Sequence, residues 1–456
     1  MRVRALVALA AVGVLAGVGV GIGPVHQRAL STPGQPQAHS GVWYCPHGGG
    51  PGWDVELWVT NPGPKAVSIR VSILTRRSSR TAPLGSVPPM SDVHIPVRAR
   101  TREAASEIEY FGGWVGASWA ARGGGTESGI ASEPCATSLG RTWFMPDGST
   151  LRGQDSWVVV MNPTAVPAIF SVGLDTREGP ILTKDWSDFV LPARRSTVFF
   201  LNSKALGRDP VGAEIHVQAG RVASASLGTS PGGGIRATLG IAASERTAVL
   251  PSGADTGRSE LVVDDTGSTR AGYMGTVRAT GGPQTIGQLR GETLQSGQAK
   301  SYHLTTQPDA AMDVRLTSGN GFAVIRRSIG SGSDEGSTTG AVPARAWVAP
   351  AATFSPKNRW RLVLTNPGST VAVVKLLLLS TPGALHRQIV LTLRVNAGGS
   401  HLVSGTFNAH APRGSAVISV SGSSVVPLVA TSTSDGGFAT AAGVPIPARW
   451  VPARLR

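Results

Sequence analysis

Beyond residue 40 the chain is a succession of short runs in which apolar and polar residues alternate. Val67, Ile69, Val71 and Ile73 fall on one side of an extended segment, and Ser68, Arg70 and Ser72 fall on the other. That period of two is expected of a strand with one face buried. About seven such runs occur per hundred residues or so, the density of an all-β sandwich. Helical periodicity is nearly absent, and Thr101–Ala105 is the sole candidate for a short helix.

The runs repeat as a block. "LWVTNPGPKAVSIRVSIL" from Leu57 has partners in "VVVMNPTAVPAIFSVGL" from Val158 and "LVLTNPGSTVAVVKLLLL" from Leu362. Asn61 and Asn162 stand 101 positions apart, and Asn162 and Asn366 stand 204 apart, about double. The doubled gap predicts a further copy near position 264, where Asp264-Asp265 replaces Asn-Pro and still favours a turn. Trp43, Trp143 and Trp347 each open a block, with Pro three residues later. Each Asn-Pro turn reads as a hairpin, and each block ends in a second one, such as "SEIEYFGGWVGASWAA", with Gly or Ser at its tip.

The expected fold is therefore all-β, with four tandem immunoglobulin- or fibronectin-like β-sandwich domains following an N-terminal transmembrane or signal-anchor helix. The boundaries fall at 1–25 for that helix, 26–41 for a flexible linker, and 42–138, 139–245, 246–342 and 343–456 for the four sandwiches. "VPIPARWVPARLR" at the end echoes "VPARAWVAP" from Val342. Trp450 thus begins a fifth opening strand, which either closes the last sandwich or packs at a junction between units.

The first residues change the picture most. Arg2 and Arg4 precede Ala5–Val25, an uncharged stretch of 21 residues. As a helix it spans about 31 Å, close to one bilayer core. Flanking positive charge keeps the N-terminus cytoplasmic and sends the remainder outward. The expectation is a single-pass cell-membrane protein with an extracytoplasmic ectodomain. The alternative is secretion after cleavage near Ala29-Leu30-Ser31 or Ala38-His39-Ser40. Cys45 and Cys135, the chain's two cysteines, both lie beyond this segment and are expected to pair in an oxidising compartment. A bridge across that span is worth roughly 4–5 kcal/mol in the chain-entropy account.

A net charge of +15 suits an anionic partner. The excess reads as scattered arginine, densest at pairs such as Arg76-Arg77, Arg194-Arg195 and Arg326-Arg327. With no basic–aromatic interleaving, nucleic acid is not an expected partner.

Candidate chemistry is sparse. His47-Gly48-Gly49-Gly50 matches the oxyanion loop of some esterases, and Gly228-Thr229-Ser230-Pro231-Gly232 fits a nucleophile elbow. That elbow needs a following helix, whereas Pro231 and further glycines follow here, so no catalytic residue is assigned. The nine histidines are dispersed, with His94, His216 and His303 on outer strand faces. Asp264-Asp265 and Asp334-Glu335 read as solvated turns, so neither a metal site nor a cofactor is expected. Trp53, Trp114 and Trp186 belong to the Trp-rich first half and are candidates for stacking on sugar rings. Trp58 and Trp157 read as homologous core positions.

The N-terminal anchor, the Trp43–Pro46 opening, "SEPCA" at Ser132–Ala136 and the Asn-Pro turns together resemble an actinobacterial family of secreted or membrane-anchored envelope proteins of unknown function. The resemblance implies an envelope location and a connection with envelope glycans, and it brings no catalytic residues. The functional expectation is a non-enzymatic scaffold, spacer or interaction module at the cell envelope. A carbohydrate-binding module for cell-wall polysaccharide is the alternative, and an envelope hydrolase a weaker one. The expected partners are the membrane, cell-wall glycan and other envelope proteins.

Overall fold

The structure is a computed structural model that describes residues 39–456 apart from 99–100, 230–231, 253–255, 280–281, 306–311, 331–333, 351–358, 380–389 and 405–414. The span expected at Ala5–Val25 and most of the linker lie outside the described residues. Of that linker Ser40 and Gly41 already belong to the first strand. No described helix is long and apolar enough to cross a membrane. Thr101–Ala105 is a turn running into a strand rather than a helix.

In the first unit the strands are β1 (Ser40–Cys45), β2 (Asp54–Asn61), β3 (Val67–Leu74), β4 (Ser79–Thr81), β5 (Gly85–Val87), β6 (Ser91–Val97), β7 (Ala105–Phe111), β8 (Gly116–Gly123) and β9 (Gly129–Pro134). They form two antiparallel sheets, one ordered β1-β7-β3-β4 with β5 also on β3, the other β6-β2-β8-β9. The alternation explains the packing. Val67, Ile69 and Val71 are buried beside Leu57, Val59, Ile108 and Trp119 from the remaining strands, in one core fed by both sheets. Each such aliphatic side chain contributes roughly 1.5–3 kcal/mol by leaving water.

The pairing corrects two expectations. β2 and β3 lie in different sheets, so the Asn-Pro turn is an arch across the core and not a hairpin. β7 and β8 likewise lie in different sheets. Period-two patterning sets which face is buried but not which strand is the neighbour, so arch and hairpin look alike in sequence. Successive long strands thereby alternate between sheets. The immunoglobulin order, with A, B, E and D in one sheet and C, F and G in the other, is a different connectivity.

The same pairing recurs across Thr142–Gly148 to Ile235–Leu239 and across Ala346–Ala349 to Phe438–Ala442. In the third unit the segments equivalent to β7 and β8 fuse into one strand, Met312–Ile329. Its first part pairs with Glu245–Ser252 and Ala271–Ala279, and its second with Arg258–Asp265 and Glu335–Thr339.

Two recurrent residues explain the repeat. The indole N–H of Trp43 donates to Val115 O at 2.8 Å, that of Trp143 to Val222 O at 2.8 Å, and that of Trp347 to Val425 O at 3.0 Å, fixing the first strand to the β7–β8 crossing. Asn61 Nδ2 donates to the carbonyls of Lys65, Val87 and Pro88, while its Oδ1 accepts from Gly63 N. Asn162 and Asn366 repeat this set on Val166, Leu191 and Pro192 and on Thr370, Val395 and Asn396. In the third unit Gly267 N donates to Asp265 Oδ1, so Asp265, rather than Asp264, occupies the asparagine position.

The four units form a closed ring and not a row. β9 abuts Ile235–Leu239, which abuts Glu335–Thr339, which abuts Phe438–Ala442, which returns to β9. Residues 39–456 are accordingly one compact body. At the centre Arg236 is fully buried between Asp147 and Glu335, and Thr440 donates to Ser337 O. The C-terminal tail completes the closure. Val444–Pro445 adds to the fourth unit's sheet, and Ile446, Val451 and Leu455 then enter the first unit's core. Trp450 lies on a short 3-10 turn, Ala448–Trp450, and starts no strand.

Candidate functional site

Cys45 and Cys135 are joined by a disulfide, at a Cα–Cα distance of 4.5 Å. It ties β1 to the segment after β9 and so links the two sheets of the first unit.

The tryptophans proposed as sugar platforms are structural in two cases out of three. Trp53 and Trp114 are 5% and 4% exposed. Trp53 donates to Glu127 and covers one side of the Arg102 guanidinium, while Trp157 of the second unit covers the other, at 4.4 and 4.5 Å. Trp114 meets Trp43 edge-on. Trp186 is half-buried against Phe199, with Lys204 Nζ 5.8 Å from its ring. Trp58 and Trp157 fill seams between units rather than their own cores. Trp157 joins the core of the first unit and Trp58 that of the fourth. A seam tryptophan carries the same local signature as a platform tryptophan, so only the ring arrangement separates them.

The esterase-like fragments also resolve. His47 Nε2 lies 2.8 Å from Ser106 Oγ, and its Nδ1 lies 2.5 Å from Gly48 O. Both side chains are buried, and burial pulls the His47 pKa down to about 4. The dyad offers a substrate no approach and fastens a loop. Ser230 lies outside the described residues. The acidic pairs are not solvated turns: Asp264 and Asp265 are 0% exposed and Asp334 6%. Asp334 accepts from Glu335 N and from Phe438 N at the ring centre. Among the described residues no cluster of three or more His, Cys, Asp or Glu is arranged to hold a metal ion.

Among the described residues, a concave cleft of 520 Å³ lies in the seam between the second and third units. The second unit supplies Arg177, Glu178, Arg208 and Asp209, and the third supplies Glu260, Lys300, Ser301 and His303. Two of the lining carboxylates are held from behind by Arg327, a buried cation whose Nε donates to Asp147 at 2.8 Å and whose Nη1 reaches Asp209 at 3.0 Å and Glu260 at 3.2 Å. Nearer the mouth, Arg208 pairs with Glu178, and His303 Nδ1 lies 3.1 Å from Glu260 Oε1. The walls thus carry both donors and acceptors, several of them held in ion pairs, and Arg327 bridges the two units through Asp147 and Asp209. Such a lining suits a hydroxyl-rich or zwitterionic ligand better than an apolar one.

In the same seam lie three further carboxyls, Asp175 and Glu214 from the second unit and Asp264 from the third. Burial, then the Glu214 charge, raises Asp175 to about 7, and burial with Asp175 beside it holds Asp264 well above the ordinary carboxylate range. Sequence reading missed this site because its residues come from two units whose meeting depends on ring closure. The only local hint is Asp265 standing where the other units carry Asn.

A structure of a glycoside hydrolase of family 32 from Bifidobacterium adolescentis is 10% identical, with 88% of this chain and 95% of that chain covered, at a TM-score of 0.16. No curated protein matches the chain. The family profile described as "Family of unknown function (DUF5719)" matches residues 102–360, from the end of the first unit into the fourth and more than half of the chain, and the protein belongs to that family.

Proposed function

We propose that the protein is a non-catalytic, membrane-anchored extracytoplasmic module of the cell envelope that holds a polar ligand, of the cell-wall polysaccharide class, in the cleft between its second and third units. The observation that carries this reading is the cleft's lining of cations and carboxylates, of which Asp209 and Glu260 are held from behind by Arg327. Hydroxyl groups accept from guanidinium and ammonium groups and donate to carboxylates, and a lining already fixed by ion pairs loses little side-chain entropy on binding. The uncharged stretch at Ala5–Val25 and the Cys45–Cys135 bridge support export and tethering. Closure into a ring favours an interaction module over an extended spacer, since a ring adds little reach.

Calorimetric titration with cell-wall polysaccharide fragments tests this reading. Binding by the wild type that weakens at least tenfold in Arg177→Ala/Arg208→Ala supports it. No binding, or the same affinity in the variant, removes the cleft from consideration.

A further inference from the structure

The positive charge of this chain is far from even. Residues 343–456 contain eleven Lys and Arg and one acid, Asp435, a net of +10 out of the chain's +15. Each of the three preceding units is within one charge of neutral. The single acid of the fourth unit is itself occupied, since Arg122 of the first unit donates to Asp435 at 3.1 Å.

The fold gathers part of this charge. On the fourth unit's sheet, Val373 pairs with Arg394 and Lys375 with Thr392, which puts Arg394 and Lys375 on one face. The C-terminal tail crosses beside them, with Lys375 Nζ donating to Arg456 O at 2.9 Å. Arg449, Arg454 and Arg456 are exposed along that tail. The tail also runs to where the chain enters the compact body. Arg449 Nη2 lies 2.9 Å from His39 Nδ1, and Trp450, half-buried, has its ring 5.5 Å from that of His39. Between Val25 and His39 lie 13 residues, a reach of at most about 45 Å.

We propose that this cationic face of the fourth unit docks on the anionic lipid headgroups of the membrane in which the N-terminal segment is anchored, and so orients the ring on the bilayer. The inference rests on the membrane-anchored reading above. Charge complementarity supplies the attraction, because basic residues close to an anionic leaflet each contribute a modest and salt-sensitive amount. A lipid surface is favoured over a soluble polyanion because the basic tail reaches the tether's attachment point through the Arg449–His39 contact.

The test uses the full chain with vesicles of phosphatidylcholine alone and of phosphatidylcholine with 30% phosphatidylglycerol. Flotation with the neutral vesicles at about 0.5 M salt reports the anchor. Hydrogen exchange of the amides in residues 444–456 reports docking. Expected is slower exchange on the anionic vesicles at about 0.1 M salt, lost at about 0.5 M, with no slowing on the neutral ones. Arg449→Gln and Arg454→Gln should each shift the balance toward the undocked tail about fivefold, and the salt series on the wild type keeps the test valid if a variant loosens the tail. A chain that floats with neutral vesicles yet exchanges equally on both kinds overturns the docking inference and leaves the anchor reading standing. A chain that ignores neutral vesicles but binds anionic ones reversibly with salt keeps the cationic face and overturns the anchor. Protection by a soluble polyglycerol phosphate, with none from vesicles, overturns the lipid assignment.

Discussion

Asp92 of the first unit accepts the backbone N–H of Ser415 of the fourth at 2.5 Å, and both residues are buried although 323 positions separate them. Thr60 Oγ1 donates to Ser415 Oγ at 2.9 Å in the same place. The pair joins the first and last units where the ring closes. Burial raises the Asp92 pKa to about 6, against the pull of its hydrogen bonds.

Asp92→Ala should therefore loosen the closure. It leaves the Ser415 N–H buried without its acceptor, a loss of about 1–3 kcal/mol. Asp92→Asn keeps an acceptor and removes the buried charge, so it should match or exceed the wild type above pH 6. Thermal unfolding of both variants at pH 5 and pH 8 checks this. An alanine variant as stable as the wild type would show that the closure rests on the remaining contacts between the first and fourth units and not on Asp92.

The asparagine positions permit a gain as well as a loss. Asn61, Asn162 and Asn366 each donate to three carbonyls, one of them through a buried hydrogen bond, so any of the three changed to Ala should lose about 1–3 kcal/mol. In the third unit Asp265 holds the Gly267 N–H but lacks an amide to donate. Asp265→Asn restores a donor and removes a buried carboxylate, so the unfolding midpoint should rise at pH 7. A fall would mean that Tyr273, whose hydroxyl faces Asp265, depends on the acid.

These residues also mark what was legible in the sequence. The Asn-Pro spacing pointed to repeated units, the alternation at Val67–Ile73 assigned the buried face, and the chain's two cysteines left a single possible pairing within it. Period two holds for any strand with one buried face, so it could not distinguish an arch from a hairpin at Asn61. Nor could it show Trp58 and Trp157 facing outward into neighbouring units. The Asp265 register was missed because Asp264-Asp265 offers two acids for one position, and only the Gly267 hydrogen bond chooses between them. The cleft was illegible for a plainer reason: Arg208 and Lys300 belong to different repeats, and no local pattern encodes where repeats meet.

Arg327, behind the cleft, should be its least replaceable support. Arg327→Met removes the cation shared by Asp147, Asp209 and Glu260 and leaves those carboxylates crowded against one another. Breaking a buried pair in this way typically costs about 3–5 kcal/mol. Thermal unfolding of Arg327→Met beside Arg327→Lys checks this, since the lysine keeps a cation in the seam and should recover part of the loss. Equal deficits in the two variants would mean that the charge is not what holds the seam.

The buried carboxyls of the seam and of Glu245 should contribute less stability at pH 8 than at pH 5. Burial raises Asp175 and Glu245 to about 7, with the Glu214 charge adding to the shift at Asp175, and it holds Asp264 well above the ordinary carboxylate range. An unfolded carboxyl releases its proton near pH 4. Between pH 4 and 7 the folded chain thus binds more protons than the unfolded one, and stability falls as pH rises through that window. The stabilisation is complete below the unfolded value and gone above the folded one. At about 1.4 kcal/mol per pKa unit, Asp175 alone sets a ceiling of roughly 4 kcal/mol, which relaxation of the seam will reduce. Asp175→Asn and Asp264→Asn should each flatten the profile, because an amide in either place removes one charge that the other must oppose. A thermal midpoint that climbs from pH 5 to pH 8 in the wild type would mean that these carboxyls are ionised and matched by a cation in the seam.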